Sequence, residues 1–200
     1  MHKDKPFSQA CENNKGPILE KLADLFNQSG TTLEIGTGTG QHAVHFALHL
    51  PHLTWQPSDH PQNARLCLPW IEEAALANIN PPLALDVIKG DWSNLPPIHG
   101  VFSANTAHIM AWEEVKAMFH GVARILPTDG LFCLYGPFRY NGQHTSESNE
   151  RFDRSLRMQA GHMGIRDMEN LKQLGETNGL SLQEDFGMPA NNRLLVWRKA

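Results

Sequence analysis

The chain has 200 residues, of which 40% are hydrophobic, and a formal net charge of −4. This length fits one domain with a sizeable core, and the hydrophobic content excludes a disordered chain. A basic stripe and an apolar run of membrane-spanning length are both missing from the sequence, so we expect a single domain over residues 1–200 without a nucleic-acid or membrane partner.

Hydrophobic periodicity predicts helices and strands that alternate along the chain. In chain order they are helix Ile18–Phe26, strand Leu33–Ile35, helix His42–Leu50, strand Leu53–Trp55, helix Ala64–Ala77, strands Leu83–Val87 and Gly100–Asn105, helix Trp112–Ile125, strand Leu131–Tyr135, helix Asp167–Asn178, and strands Leu180–Phe186 and Arg193–Trp197. Pro17 suits the first turn of the first helix, and Pro69 either kinks the third or delays its start. The alternation indicates an α/β fold with a mostly parallel sheet covered on both faces, in which the last two strands could be antiparallel.

The run Thr32–Gln41 places three glycines at alternate positions between the first strand and the second helix. Gly36, Gly38 and Gly40 allow positive φ and close approach of a ligand, since none of them carries a Cβ. The free N–H groups of the following helix would face the polar part of that ligand. This arrangement predicts a site for a nucleotide-like cofactor.

The spacing around these glycines discriminates between cofactors. A phosphate-binding P-loop is excluded, because no lysine follows Gly40. A dinucleotide fingerprint would need its third glycine at Gln41, which weakens that alternative without excluding it. The pattern E-x-G-x-G-x-G, which begins at Glu34 and includes Thr37, fits S-adenosylmethionine better.

Two acidic residues follow strands further along the chain. Asp59, about 20 residues beyond the glycines, could accept hydrogen bonds from both ribose hydroxyls. Asp86 could accept from the adenine amino group, and Trp92 could cover the adenine ring. The alternatives stay open: Asp59 with Pro61 is also typical of a turn, Asp86 of a strand-to-loop junction, and Trp92 of a core residue.

The eleven histidines and three cysteines suggest neither a metal site nor disulfides. His42, His45 and His49 share helical spacing, but no glutamate or cysteine cluster completes a ligand set, so a polar or half-buried helix face is expected. Cysteines this few and widely spread are typical of a reducing compartment. Together with an N-terminus that lacks a secretory apolar core, they lead us to expect a cytoplasmic protein.

With the glycine turn, Asp59, Asp86 and the final strand pair in place, the chain resembles class I S-adenosylmethionine-dependent methyltransferases over its whole length. It is more similar still to a methyltransferase-like family catalogued as a domain of unknown function. The segments that carry this resemblance are Leu33–Val44, Trp55–Asp59, Phe102–Asn105, His108–Met110, Leu134–Gly142, Thr145–Asn149, Gly164–Asp167 and Met188–Asn192. The family pattern often has an arginine where this chain has Asn13 or Asn14, so no role is transferred to Asn13.

The resemblance implies a three-layer Rossmann-like fold with a seven-stranded, mostly parallel sheet and an antiparallel C-terminal hairpin. It also implies S-adenosylmethionine as cofactor, but it does not imply a substrate. We expect a methyltransferase acting on an unidentified small molecule. The alternatives are a protein that binds S-adenosylmethionine without transferring a methyl group, such as a sensor or partner subunit, and, more remotely, a nicotinamide-dependent oxidoreductase.

Substrate-side residues are expected beyond the fourth and fifth strands, because ligands bind outside the carboxyl ends of such strands. Asn105 could hold the methionine tail or a substrate atom, and His108 could act as a general base. Alternatively, His108 starts a helix and packs with its neighbours. The segment Tyr135–Asn149 is predicted to be a long loop that serves as a lid, with Arg139 and Tyr140 as further catalytic candidates; a solvated surface loop is the alternative.

Overall fold

The computed structural model describes residues 5–200, so residues 1–4 of the predicted polar N-terminus lie outside the described part. Its helices are α1 (Gln9–Leu25), α2 (Gln41–His49), α3 (Leu68–Ala74), α4 (Trp112–Ile125), α5 (Glu147–Gln159) and α6 (Met168–Thr177), with 3-10 turns at Trp92–Asn94 and Pro189–Asn191. Its strands are β1 (Gly30–Ile35), β2 (Leu53–Asp59), β3 (Leu83–Ala84), β4 (Gly100–Ala104), β5 (Leu131–Gly136), β6 (Phe138–Tyr140), β7 (Gln143–His144), β8 (Arg166–Asp167), β9 (Leu180–Met188) and β10 (Asn192–Lys199).

Seven strands form the main sheet in the order β3-β2-β1-β4-β5-β10-β9, and β7-β6-β8 form a second sheet. β1 pairs in parallel with β2, and β2 with β3. β10 pairs antiparallel with both β5 and β9. The predicted fold class, an α/β fold with a mostly parallel seven-stranded sheet and an antiparallel C-terminal pair, is thereby confirmed.

Internal contacts divide the chain into two compact units, one ending at Phe102 and the other beginning at Ser103. The first unit has an aromatic core in which the Phe46 ring centroid lies 5.4 Å from that of Trp55 and 5.3 Å from that of Phe102. All three side chains are fully buried. Phe46 belongs to α2 and Trp55 to β2, so this cluster fixes the helix that follows the glycine turn against the sheet.

The second unit has its own aromatic core, built from α4, β5 and β10. The Phe119 ring lies 5.2 Å from Phe132 and 5.0 Å from Trp197, both edge-on, and all three side chains are fully buried. α6 contacts β9, and its N-cap Asp167 accepts a hydrogen bond from the Glu169 N–H, as the sequence predicts.

The first helix differs from its prediction. α1 begins at Gln9, where the Ser8 hydroxyl caps it by accepting from the Cys11 N–H at 3.3 Å. Pro17 therefore lies in the helix interior, and its predicted place in the first turn is wrong. The sequence predicts a later start because residues 9–16 carry little apolar periodicity; in the structure this part of the helix is held by polar contacts, among them those of Ser8 and Glu12 with Gln41.

Two further boundaries follow from local side-chain chemistry. α3 starts only at Leu68, so Pro69 occupies its first turn, which is one of the two predicted outcomes. β3 ends at Ala84, three residues before the predicted end, because the Asp86 carboxylate accepts the backbone N–H groups of Ile88 and Lys89 and turns the chain.

The predicted long loop after β5 is wrong. β6, β7 and the first turn of α5 occupy this segment, and α5 continues to Gln159. The buried face of α5 consists of Asn149, Asp153 and Leu156, so two of its three buried residues are polar and the apolar periodicity that would have indicated a helix is missing.

Within residues 5–200, no helix is both long and apolar enough to cross a membrane. In the same range, no three His, Cys, Asp or Glu side chains are grouped so that they could hold a metal ion.

Candidate functional site

The glycine turn follows β1 in the first unit, and its glycines serve different purposes. Gly36, Gly38 and Gly40 have φ of 77°, 54° and 89°, a region that disfavours side chains. A Cβ on Gly40 would lie 2.7 Å from the Cys67 Cβ, so this glycine allows close packing. A Cβ on Gly38 would meet nothing within 4 Å, so the backbone there borders open space that a ligand can approach.

Asp59 ends β2 directly beside this turn. Its Oδ2 accepts the Gly38 N–H at 2.8 Å, and its Oδ1 accepts the N–H of His60 at 2.8 Å. The parallel register places Ile35 opposite Ser58, so the carboxyl ends of β1 and β2 lie at one edge of the sheet. The structure therefore brings together the glycine turn and the carboxylate that the sequence predicts for a ribose.

Glu34 lies beneath the turn and is 1% exposed. Its Oε2 accepts hydrogen bonds from the Thr37 hydroxyl at 2.8 Å and the Trp55 indole N–H at 2.9 Å. Burial raises the pKa of Glu34 to about 7, although these two hydrogen bonds act in the opposite direction. Thr37 is itself buried, so these two predicted cofactor residues fix the shape of the turn.

Asp86 lies where the chain turns after β3, and Trp92 is buried in the core of the first unit. Asp86 accepts from the N–H groups of Lys89 and Ile88, which lowers the pKa of its carboxyl, and its Oδ2 lies 3.9 Å from the His60 Nε2. Trp92 is 6% exposed and donates its indole N–H to the Val87 carbonyl at 3.2 Å. Asp86 thus lies near the end of β2, while Trp92 is a core residue.

Gln41, which the sequence treats only as a missing glycine, is a functional candidate that the prediction overlooked. It is 2% exposed, and its side chain accepts the Ser8 N–H at 2.6 Å and donates to Glu12 at 2.6 Å. The Thr39 hydroxyl also donates to it at 3.0 Å. Gln41 therefore ties the N-terminus of α1 to the glycine turn; the only sequence signal was a long polar side chain where a third glycine could stand.

The three helix-spaced histidines of α2 have structural partners. His42 is buried, its Nε2 lies 2.6 Å from the Asn14 Oδ1, and its ring stacks on Phe46. The His49 Nδ1 lies 2.7 Å from the His45 carbonyl oxygen. The His45 ring centroid lies 5.7 Å from that of Phe46 and 4.4 Å from that of His49, and its Nε2 is buried with no hydrogen-bond partner in residues 5–200.

In the second unit, Asn105 and His108 surround the end of β5. Asn105 has φ of 59° and donates its N–H to the Tyr135 carbonyl at 2.9 Å. A Cβ on Gly136 would lie 3.8 Å from the His108 Nδ1 and 3.9 Å from the Asn105 Oδ1. The two predicted residues therefore direct polar atoms toward the same bare stretch of backbone.

His108 is 7% exposed, and its ring packs edge-on against Phe152 with centroids 5.2 Å apart. Neither ring nitrogen hydrogen-bonds to any residue in the described range. Burial lowers the pKa of His108 to about 4, and the nearby Arg166 acts in the same direction. At neutral pH this imidazole is therefore neutral and able to accept a proton, and a pKa this far below 7 makes it a weak base.

Arg139 and Tyr140 lie on β6 in different surroundings. The Tyr140 hydroxyl donates to the Asp185 Oδ2 at 2.7 Å; burial and this carboxylate raise the pKa of the phenol. The Arg139 Nε is buried and has no hydrogen-bond partner in residues 5–200, and neither has the Nδ1 of His144, the residue paired with it on β7. Tyr140 is thus committed to a structural partner, whereas Arg139 keeps unused donor capacity.

The chain matches one sequence family and is similar to several solved structures. The sequence model of a family described as "Protein of unknown function (DUF938)" matches residues 5–199. Among solved structures, an O-methyltransferase family protein from Burkholderia thailandensis superposes with a TM-score of 0.80 at 14% identity over 93% of this chain and 56% of that one.

Two further solved structures are similar. Mitomycin 7-O-methyltransferase MmcR has a TM-score of 0.77 at 17% identity, with 96% of this chain and 54% of that one covered. CalO1, a methyltransferase in calicheamicin biosynthesis solved in its SAH-bound form, has a TM-score of 0.71 at 17% identity, with 93% and 54% covered. The present chain thus spans little more than half the length of these proteins, and identities this low show a shared fold.

Proposed function

The chain belongs to the DUF938 family, whose description assigns no function, and we propose that it is an S-adenosylmethionine-dependent methyltransferase that acts on a small-molecule acceptor. The observation that carries the proposal is the 2.8 Å hydrogen bond from the Gly38 N–H to the Asp59 carboxylate. It joins a turn that is open to a ligand with a carboxylate able to hold two hydroxyls. The SAH-bound structure of a protein with the same fold supports this choice of cofactor.

The residues of the first unit fit this cofactor. Open space at Gly38 lets the backbone approach it, and Asp59 would accept from its ribose hydroxyls. Glu34 would support the turn from beneath through its hydrogen bond with the Thr37 hydroxyl. The bound cofactor supplies an electrophilic methyl group, so the protein mainly has to bind and orient. Asp86 stays a proposed partner of the adenine amino group.

The residues of the second unit would serve the acceptor. The free ring nitrogens of His108 make it the best candidate to remove a proton from an acceptor hydroxyl or amine. Asn105 would orient a polar acceptor atom, and Arg139 would contribute positive charge. Tyr140 is a weaker candidate for proton transfer, because its hydroxyl is already donated to Asp185.

Calorimetric titration of the purified protein with S-adenosylmethionine and, separately, with NADH tests the cofactor. We expect binding of S-adenosylmethionine that weakens at least tenfold in Asp59→Ala, since each lost hydrogen bond to a charged group contributes about 1.5–3 kcal/mol. Asp24→Ala, on the exposed face of α1, is the matched control and should bind as the wild type does. Binding of NADH alone would end the proposal.

A screen of small metabolites for release of S-adenosylhomocysteine tests the transfer. Wild type should release it with at least one acceptor, and His108→Gln should retain cofactor binding but lose most of the rate; loss of a general base typically costs 10²–10⁴-fold. Tight binding without release from a broad panel would favour the binding-only alternative.

A further inference from the structure

Arg166, on β8, lies across the segment that carries His108. Its Nε donates to the Ala107 carbonyl at 2.8 Å, and its Nη2 donates to the Met110 carbonyl. The same Nη2 donates to the His162 carbonyl at 3.0 Å. One guanidinium therefore bonds the backbone on both sides of His108.

The residues before Arg166 add a direct bond to His108. The Gly164 N–H donates to the His108 carbonyl at 2.8 Å, so residues 164–166 bond to three of the four residues in the segment 107–110. The Arg166 guanidinium also lies 6.0 Å from the centre of the Trp112 ring, near the start of α4. The planar guanidinium spreads five N–H donors over a fixed fork, so it can bond carbonyls of separate residues, whereas a lysine ammonium has three donors on a single atom.

The hydrogen bonds of Arg166 are unusual in their partners. All of them go to neutral carbonyl oxygens, and the described residues offer it no ion pair within 4.0 Å. The charged groups that influence it from the packed elements are Arg157 and Asp153 of α5, Arg139 of β6 and Glu114 of α4. Two of these are positive and two negative, so the Arg166 charge is not cancelled at close range.

We propose that Arg166 is a positioning residue for the reaction: its hydrogen bonds hold the segment 107–110 so that the imidazole of His108 is fixed beside Gly136. This inference rests on the proposed role of His108 as the base. It adds a residue that touches neither acceptor nor cofactor. The guanidinium that bonds the backbone also lowers the His108 pKa, with burial of the ring as the larger cause.

Two variants separate the two effects. Arg166→Gln removes the charge and most of the donors, whereas Arg166→Lys retains the charge but replaces the planar five-donor fork with a compact three-donor ammonium that does not match the spacing of these carbonyls. The His108 pKa is measured by NMR titration of the imidazole signals in the protein without added ligand, with the His108 signal identified by its loss in His108→Gln. Amide hydrogen exchange of residues 106–110 and Gly164 reports the order of the segment.

We expect the His108 pKa to rise slightly in Arg166→Gln, because burial of the ring, the larger cause of its low value, is retained, and to stay low in Arg166→Lys. Exchange should accelerate roughly tenfold or more in both variants, because hydrogen bonds to a charged group are lost. Arg154→Gln, which removes an exposed charge of α5, should change neither quantity.

An unchanged His108 pKa in Arg166→Gln, or an equal shift in Arg154→Gln, would overturn the electrostatic part. Unchanged exchange in both Arg166 variants would overturn the positioning part. Should Arg166→Gln not fold, Arg166→Lys still tests the positioning part, and Arg166→Met replaces Arg166→Gln in the test of the electrostatic part. Neither measurement uses the cofactor, so failure of this inference is distinguishable from a failure to bind S-adenosylmethionine.

Discussion

Gly38 and Gly40 both have positive φ, but the residues around them differ. Gly38 borders open space, while Gly40 packs against the Cβ and backbone of Cys67. The sequence alone makes the two glycines look equivalent. Both positions require a residue that tolerates positive φ, and only the Gly40 position also requires a residue without a Cβ because of its neighbours.

Alanine at each position should therefore have different effects. Gly38→Ala should cost about 1–2 kcal/mol of unfolding free energy from the left-handed backbone, and Gly40→Ala should cost about 1–3 kcal/mol more, because its Cβ would overlap Cys67. Urea unfolding of both variants measures the difference. Equal destabilisation by the two would contradict this account.

Glu34 gives the glycine turn a pH dependence. Its pKa is about 7 in the folded protein and 4.5 in the absence of burial, so the folded state holds its proton more tightly than the unfolded state does. The stability that this provides is fully present below pH 4.5 and is lost as pH rises through 7, by at most about 3 kcal/mol.

Glu34→Gln should remove that loss. The unfolding free energy of the variant, relative to wild type, should therefore increase between pH 5 and pH 8. Urea unfolding at intervals of pH measures it, with Glu20→Gln on the exposed face of α1 as control. A difference that does not vary with pH would show that Glu34 is ionised throughout.

Among the secondary-structure elements, α1 is the helix whose start and whose proline position the sequence predicts wrongly. Pro17 lies inside this helix and lacks the N–H that would bond to the carbonyl of residue 13. Pro69, by contrast, lies in the first turn of α3, where an N–H has no helical partner.

The two prolines provide a matched pair of substitutions. Pro17→Ala should stabilise the protein by about 1–2 kcal/mol: the interior proline costs about 3, and part of the gain is offset by a more flexible unfolded chain. Pro69→Ala should be neutral or slightly destabilising. Thermal unfolding of both variants tests this, and destabilisation by Pro17→Ala would show that the interior proline stabilises α1.

The accuracy of the predicted elements follows their apolar periodicity. α4 was predicted with correct ends, because its buried face includes Val115, Met118, Phe119 and Val122 at helical spacing. α5 was not predicted, because Asn149 and Asp153 occupy its buried face. Asn149 donates to the Asn191 carbonyl and Asp153 accepts from the Ile165 N–H, so both are satisfied by distant residues. Such partners exist only in the folded chain.

For the whole molecule, the chain spans little more than half the length of the similar methyltransferases. We nevertheless expect these 200 residues to bind the cofactor alone, since the predicted cofactor contacts other than Asn105 lie in the first unit. S-adenosylmethionine at 100 times its Kd should raise the Tm by about 5–10 °C, from about 2.7 kcal/mol of binding free energy. Differential scanning calorimetry measures this, and Asp59→Ala should show a much smaller rise; an unchanged wild-type Tm would contradict the expectation.

The sequence by itself determined the fold class and the glycine turn, because backbone sterics and apolar periodicity are local properties of the chain, and it predicted Asp59 as the carboxylate that the structure places beside that turn. Only the tertiary structure decided that Glu34 is buried with a raised pKa, that Gln41 fastens α1 to the turn and that Arg166 brackets His108. These features depend on groups between 21 and 59 residues apart that folding brings within hydrogen-bond distance, as the Glu34–Trp55 and Arg166–Ala107 pairs show. Burial and long-range hydrogen bonding are properties of the folded molecule, and no local pattern encodes them.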